Sequence, residues 1–152
     1  MKATTKEDFR FIDITEATDT NCERMLPVLT QLRDGITVHE LRAVLSAPQG
    51  QRPRFTAMIS ADTDTCLAVA GWRLMANTHL GLVLYIDDLV VDASHRGKGL
   101  GHRMLAELEH VAGDLGAAAI DLDSGVQRSD AHRFYFANGF SISSHHFRRL
   151  LG

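Results

Sequence analysis

Only Cys22 and Cys66 are present, too few for the multi-bridge framework that holds small secreted domains together. With no signal-peptide pattern at its start, the chain is expected to work in a reducing cytoplasm. No apolar run approaches the roughly 18 residues of a membrane span, so no membrane partner is expected. Positive charge is not in surplus: 16 Lys and Arg against 19 Asp and Glu give a formal net charge of −3. The broad cationic surface that nucleic acid calls for is therefore missing. Prolines number only three, and no repeat, linker or low-complexity tract interrupts the chain. What remains is ordinary globular composition, 45% apolar over 152 residues. That fits a single domain over residues 1–152 with a sizeable core.

The stretch from Tyr85 to Val111, YIDDLVVDASHRGKGLGHRMLAELEHV, carries the most information. Tyr85, Ile86, Leu89, Val90 and Val91 form a run of strand formers, and Asp92–Ser94 ends it with turn chemistry. The period then changes. Leu100, Met104, Leu105, Leu108 and Val111 recur at helical spacing, so a helix begins within the glycine run. Gly97, Gly99 and Gly101 sit at its N-terminus, where backbone N–H groups lack intrahelical partners and the macrodipole favours an anion. Glycines admit a phosphate without a Cβ in the way, and Arg96 and Lys98 add formal charge. The spacing is not that of a P-loop, because Lys98 is followed by Gly99 rather than Ser or Thr. Nor is it a Rossmann fingerprint, because the glycines read G-x-G-x-G.

Around this stretch the pattern predicts a strand at Phe9–Ile14, with the first few residues fraying. A helix follows from about Thr20 toward Gly35, in which Pro27 predicts a kink or late start. Thr37 and Glu40 form a capping box for a second short helix ending near Pro48. Three antiparallel strands follow: the alternating run around Phe55–Ile59, then Cys66–Met75 and Leu82–Val91, with turns at Ala61–Thr65 and Asn77–Gly81. After the central helix, Ala117–Asp123 reads as a short strand parallel to Leu82–Val91 through a right-handed crossover. Ser129 or Asp130 caps a last helix that Gly139 closes. Phe140–Leu151 predicts a final strand or two.

The loop R-G-x-G-x-G at Arg96–Gly101, after a strand ending L-V-V-D, resembles the acetyl-CoA pyrophosphate loop of the GCN5-related N-acetyltransferase (GNAT) family. Ala131–Phe140, AHRFYFANGF, resembles the same family's A-x-x-x-Y-x-x-x-G-F helix, and the element order matches as well. More narrowly, Asp130–Tyr135 followed by His146–Phe147 resembles the aminoalkylphosphonate N-acetyltransferase branch. One departure is Arg128, which stands where many members carry Asn, so that cofactor contact does not carry over. The resemblance implies an α/β GNAT fold: a mixed, mostly antiparallel central sheet flanked by helices, with a splayed parallel strand pair holding acetyl-CoA as co-substrate. It further implies that the backbone of Leu89, Val90 and Val91 pairs with the pantetheine arm. Arg96, Gly97, Lys98, Gly99, Leu100 and Gly101 would then hold the pyrophosphate, and Tyr135 would protonate the departing thiolate. Dimerisation is common in the family, so a homodimer is an expectation on that ground alone.

Acetylating an amine requires a neutral nucleophile. An alkyl ammonium with pKa about 10.4 is neutral in only roughly one molecule per thousand near pH 7.4, so a base or water chain is needed. Asp87 and Asp88, on the central strand, are the candidates. They point to opposite faces unless a bulge intervenes. His145 and His146 are read as surface residues rather than acceptor or metal ligands, and no metal is expected. His132 is read as support for its helix turn, and Asp121 and Asp123 as solvated. Trp72 and Tyr85 suit an acceptor pocket or the core equally. The expected function is transfer of acetyl to a primary amine of a small molecule by direct attack. A protein or peptide N-acetyltransferase and a non-catalytic acyl-CoA sensor are the competing readings.

Overall fold

The computed structural model describes residues 8–152, so the expected fraying of the first few residues lies outside the described residues. The chain divides into two compact units, one ending at Asp121 and one running from Leu122 to Gly152. In the first, β1 (Phe9–Ile14), α1 (Asn21–Leu29), α2 (Val38–Leu45), β2 (Arg54–Ser60), β3 (Cys66–Asn77) and β4 (Gly81–Val91) follow in order. A single 3-10 turn at Ala93–His95 then leads into α3 (Leu100–Asp114) and β5 (Ala119–Leu122). The strands form one sheet in the order β1-β2-β3-β4-β5. β1 to β4 pair antiparallel, whereas β5 runs parallel to β4 and begins beside its start, where Ala118 N donates to Leu82 O at 2.8 Å. This is the predicted parallel pairing.

Both faces of the sheet are covered. Phe55, Ala57 and Ile59 of β2, Val69 of β3 and Val90 of β4 cluster with Met25, Val28 and Leu29 of α1 and with Leu41 and Leu45 of α2. Met58, Ala68 and Ala70 lie one residue out of phase and are buried outside that cluster, as are Met104, Leu105 and Leu108 of α3. The period-two pleat sends alternate side chains to opposite faces, so α3 covers the second face. β3 is consequently apolar without alternation, from Cys66 through Trp72.

Helix ends follow the local chemistry with one shift. The capping box forms as predicted: Glu40 N donates to Thr37 Oγ1 at 3.2 Å and Thr37 N to Glu40 Oε2 at 2.8 Å. α1, however, starts at Asn21 and stops at Leu29, with Pro27 inside its last turn. Pro27 has no N–H to give, and tighter i to i−3 bonds from Gln31 and Leu32 carry the chain onward to Gly35 at φ 76°.

The second unit contains α4 (Ser129–Ala137). Its N-cap is Arg128, without a side-chain cap bond, rather than Ser129 or Asp130; Asp130 instead accepts from Arg133 at 3.2 Å. Gly139 closes the helix at φ 83°. The predicted final strand does not form: Phe140 to Gly152 contains no regular element. Strand formers give an extended chain, but ladder hydrogen bonds with a neighbour are what make a strand.

Candidate active site

β4 carries the candidate base and leads into the glycine loop. Its pairing with β3 slips between Gly71 and Trp72: Gly71 faces Asp88, Trp72 faces Ile86, and Asp87 is the extra residue. The bulge that sequence alternation left open is therefore present, and it gives the two aspartates different partners. Asp88 Oδ1 accepts from Arg33 Nε at 2.6 Å, and the Asp88 side chain is only 14% exposed. Its Oδ2 lies over Gly71, where an added Cβ would stand 2.8 Å from it and 2.7 Å from Phe55 Cε1. Asp87 meets Arg73 Nε at 3.1 Å and keeps a third of its side chain exposed. Partial burial pushes the Asp87 carboxyl above its ordinary pKa, assisted by the charge of Asp88, while Arg73 and Arg33 oppose the shift. Both aspartates are ion-paired, but Asp87 keeps more solvent access than Asp88 and its pKa is raised, which suits proton abstraction better.

Downstream, Leu89, Val90 and Val91 pair with Ala70, Val69 and Ala68 of β3 along one edge. β5 has only four residues and starts beside Leu82, so the other edge of Leu89–Val91 runs past its reach. This is the exposed backbone that strand-like pairing with an extended ligand requires. The Val90 side chain belongs to the core, leaving backbone as what this segment offers.

The loop itself is set for anion binding. Gly97 and Gly99 both adopt φ 77°, a left-handed conformation costly for other residues, and a Cβ built on either meets nothing within 4 Å. The backbone is therefore open to close approach. Gly99 is the N-cap of α3, and Arg103 N closes the first turn on Gly99 O at 3.1 Å. The amides of Leu100 and Gly101 precede that bond and point out of the helix end. The Leu100 side chain is buried, so only its backbone faces the loop. Arg96 Nε donates to Val91 O at 3.2 Å, and Lys98 supplies a second cation beside the glycines.

Tyr135 lies on α4 in the second unit, edge-on to Phe134 at 5.4 Å and Phe140 at 5.7 Å. Among the described residues no protein group hydrogen-bonds its hydroxyl. Burial raises its phenol pKa, opposed by Arg128, so the proton is firmly held at neutral pH. The chain belongs to the GNAT acetyltransferase family. The pattern described as "Acetyltransferase (GNAT) family" matches residues 17–140, spanning both the glycine loop and Tyr135. Over 124 residues the chain is 32% identical to "Uncharacterized N-acetyltransferase YhdJ" of Bacillus subtilis (strain 168), covering 81% of this chain and 87% of that protein. A shorter match, 36% over 73 residues, covers 48% of this chain and 47% of the "Aminoalkylphosphonate N-acetyltransferase" of Salmonella typhimurium. Among solved structures, AAC(6')-Iy in complex with the bisubstrate analogue CoA-S-monomethyl-acetylneamine has a TM-score of 0.77 at 12% identity. That alignment covers 95% of this chain and 99% of the other, a likeness of fold. As a GNAT protein the chain is an acyltransferase, and acetyl-CoA is the donor its family uses.

The remaining candidates separate clearly. Trp72 is 2% exposed and donates to Thr56 Oγ1 at 3.0 Å, which in turn donates to Asp13 Oδ1 at 2.9 Å; it is a core residue. Tyr85 carries the Arg73 guanidinium 5.0 Å over its ring. His132 Nε2 meets Gly125 O at 2.9 Å, in the turn-supporting role predicted. His146 Nδ1 pairs with Asp123 at 2.7 Å. Cys22 and Cys66 are buried free thiols, the latter pushed up to about 12 by burial, which makes it inert as a nucleophile. Among the described residues no His, Cys, Asp and Glu side chains group to hold a metal, and no helix is long and apolar enough to cross a membrane. Sequence reasoning missed Gln31, Arg33 and Arg73. The bonds of Gln31 and Arg33 span 54 to 62 residues, and no periodicity marks such partners.

Proposed function

We propose that this GNAT protein acetylates a primary amine of a small molecule by direct attack, with Asp87 as base and Tyr135 as acid. The observation that carries the donor half is the open glycine cradle at the N-terminus of α3, directly downstream of an uncovered stretch of β4 backbone. Leu89, Val90 and Val91 would hold the pantetheine arm through backbone, and Arg96, Gly97, Lys98, Gly99, Leu100 and Gly101 the pyrophosphate. Acetyl-CoA supplies an activated acyl group whose C–S bond is exchanged for a C–N bond. Asp87 removes the proton that the amine must lose; its raised pKa brings it nearer working pH, and Arg73 orients it. Asp88 is held by Arg33 and shapes the bulge instead. Tyr135 keeps a proton at Oη for the departing sulfur. With a phenol near 10 against a thiol near 8.5 this transfer is uphill in solution, and burial steepens it, so it demands close placement.

A small-molecule acceptor is supported by the name of the Salmonella relative, whose similarity spans less than half of either chain. The test is thiol release from acetyl-CoA against polyamines, amino acids, aminoglycosides, aminoalkylphosphonates and peptides. Turnover on one class of free amine is the expected result. Turnover on peptides alone would overturn the small-molecule reading, and acetyl-CoA binding with no release on any of them would favour a sensor.

A further inference from the structure

Two residues past the end of α1, Gln31 reaches across to the strand end from which the glycine loop departs. Its Nε2 donates to Asp92 Oδ1 at 2.7 Å and its Oε1 accepts from Ala93 N at 2.8 Å, while Nε2 also lies 3.3 Å from Pro27 O. One planar amide therefore grips the side chain of Asp92 and the backbone of the next residue. Asp92 is tied in other directions too. Its N donates to Leu67 O of β3 at 2.8 Å, and its O accepts from His95 N at 2.9 Å. Its Oδ2 accepts from Ser94 Oγ and faces His95 Nδ1 at 2.7 Å. Hydrogen bonds from Ser94, Gln31 and His95 hold the Asp92 carboxyl well below the usual carboxylate range, so the grip persists across any working pH. Arg33, two residues further, makes a parallel tie to Asp88 Oδ1 and Asp87 O. The segment after α1 thus fastens both the bulge and the loop departure of β4.

We propose that Gln31 is a positioning residue for the acyl donor: by clamping Asp92 and Ala93 it sets the direction in which Arg96–Gly101 leaves β4, and so the placement of the pyrophosphate cradle. The inference rests on the reading that this loop holds the pyrophosphate of CoA. Gln31 is itself solvent-exposed and outside the core, so its loss acts on the loop rather than on the fold.

The test compares binding of CoA with that of pantetheine, which lacks the pyrophosphate, by calorimetry on the full chain. Wild type is expected to prefer CoA. Gln31→Ala is expected to weaken CoA about fivefold, the order of one lost charge-assisted hydrogen bond at an exposed site, with pantetheine within about twofold. Gln31→Glu sets one carboxylate against another and is expected to weaken CoA further. Adding Asp92→Asn restores it, because the introduced amide can donate to the introduced carboxylate, whose second oxygen still accepts from Ala93 N. The swap tests whether the effect runs through this one bond, and a failure to restore CoA binding overturns the clamp; equal losses of CoA and pantetheine in the single variants mark a purely structural tie and overturn it too. If wild type prefers CoA and both single variants bind it within about twofold of wild type, the clamp has no role in donor placement and the loop reading stands. If wild type does not distinguish CoA from pantetheine, both fall.

Discussion

The unit that ends at Asp121 and the one that begins at Leu122 both carry apolar side chains, but only the first buries them fully. Every buried apolar side chain lies at or before Ala112, whereas α4 buries none fully. Val126, Phe147, Leu150 and Leu151 are 86% to 93% exposed. An amphipathic face and good caps make a helix possible, but its burial depends on a partner surface, and in the first unit that surface is a sheet covered on both sides. The two units also divide the candidate chemistry: the base, pantetheine edge and pyrophosphate loop fall in the first, the acid in the second. Substitutions in each unit therefore probe different parts of the candidate chemistry.

The largest contrast is in stability. Leu105→Ala, at a position 1% exposed on α3, is expected to cost about 2 to 5 kcal/mol by removing packed methyl groups and leaving a cavity. Phe136→Ala, at 53% exposure on α4, is expected to fall within about 0.5 kcal/mol. Chemical denaturation of both variants checks the pair, and equal losses would erase the distinction between the units. Next in size, Tyr135→Phe is expected to lower kcat about 100-fold with the dissociation constant of acetyl-CoA unchanged, separating the acid from donor binding. An unaltered turnover number would remove the second unit from the chemistry.

A smaller effect, with a definite sign, is expected at Asp87. The base acts deprotonated, so activity is lost as pH falls through its folded pKa, which burial places above the ordinary carboxylate value of about 4. The acid limb of kcat/KM should therefore lie above that value, and Asp87→Asn should flatten it while lowering the plateau about tenfold. A limb that survives the substitution assigns the titration to another group. Smallest is Gly99→Ala: at φ 77° with open space around the Cβ, the change costs about 1 kcal/mol of backbone strain. The expected result is a severalfold rise in the KM for acetyl-CoA with little change in kcat, measured by initial rates.

Most of the architecture was legible in the letters because its causes are local. The change from strand to helical period at Gly97–Gly101 announced a loop at a helix N-terminus, and left-handed glycines stand there. The Thr37–Glu40 capping box formed where its spacing predicted. The last segment misled for a physical reason: β-propensity at Phe140–Leu151 describes what a residue tolerates, not whether a neighbouring strand exists to pair with it. The position of Asp87 was open for the same reason, since a bulge is a property of two strands in register.

Sequence by itself determined the order of elements through the last helix, the anion-ready loop and the family, because periodicity, glycine chemistry and motif spacing are written along the chain. Only tertiary structure decided which arginine each aspartate meets and how far each is buried. Arg33 reaches across 55 residues to take Asp88, and Gln31 across 61 to take Asp92. Partners so far apart in sequence meet only because α1 packs against the sheet, and which carboxylate each finds depends on where the β4 bulge places it.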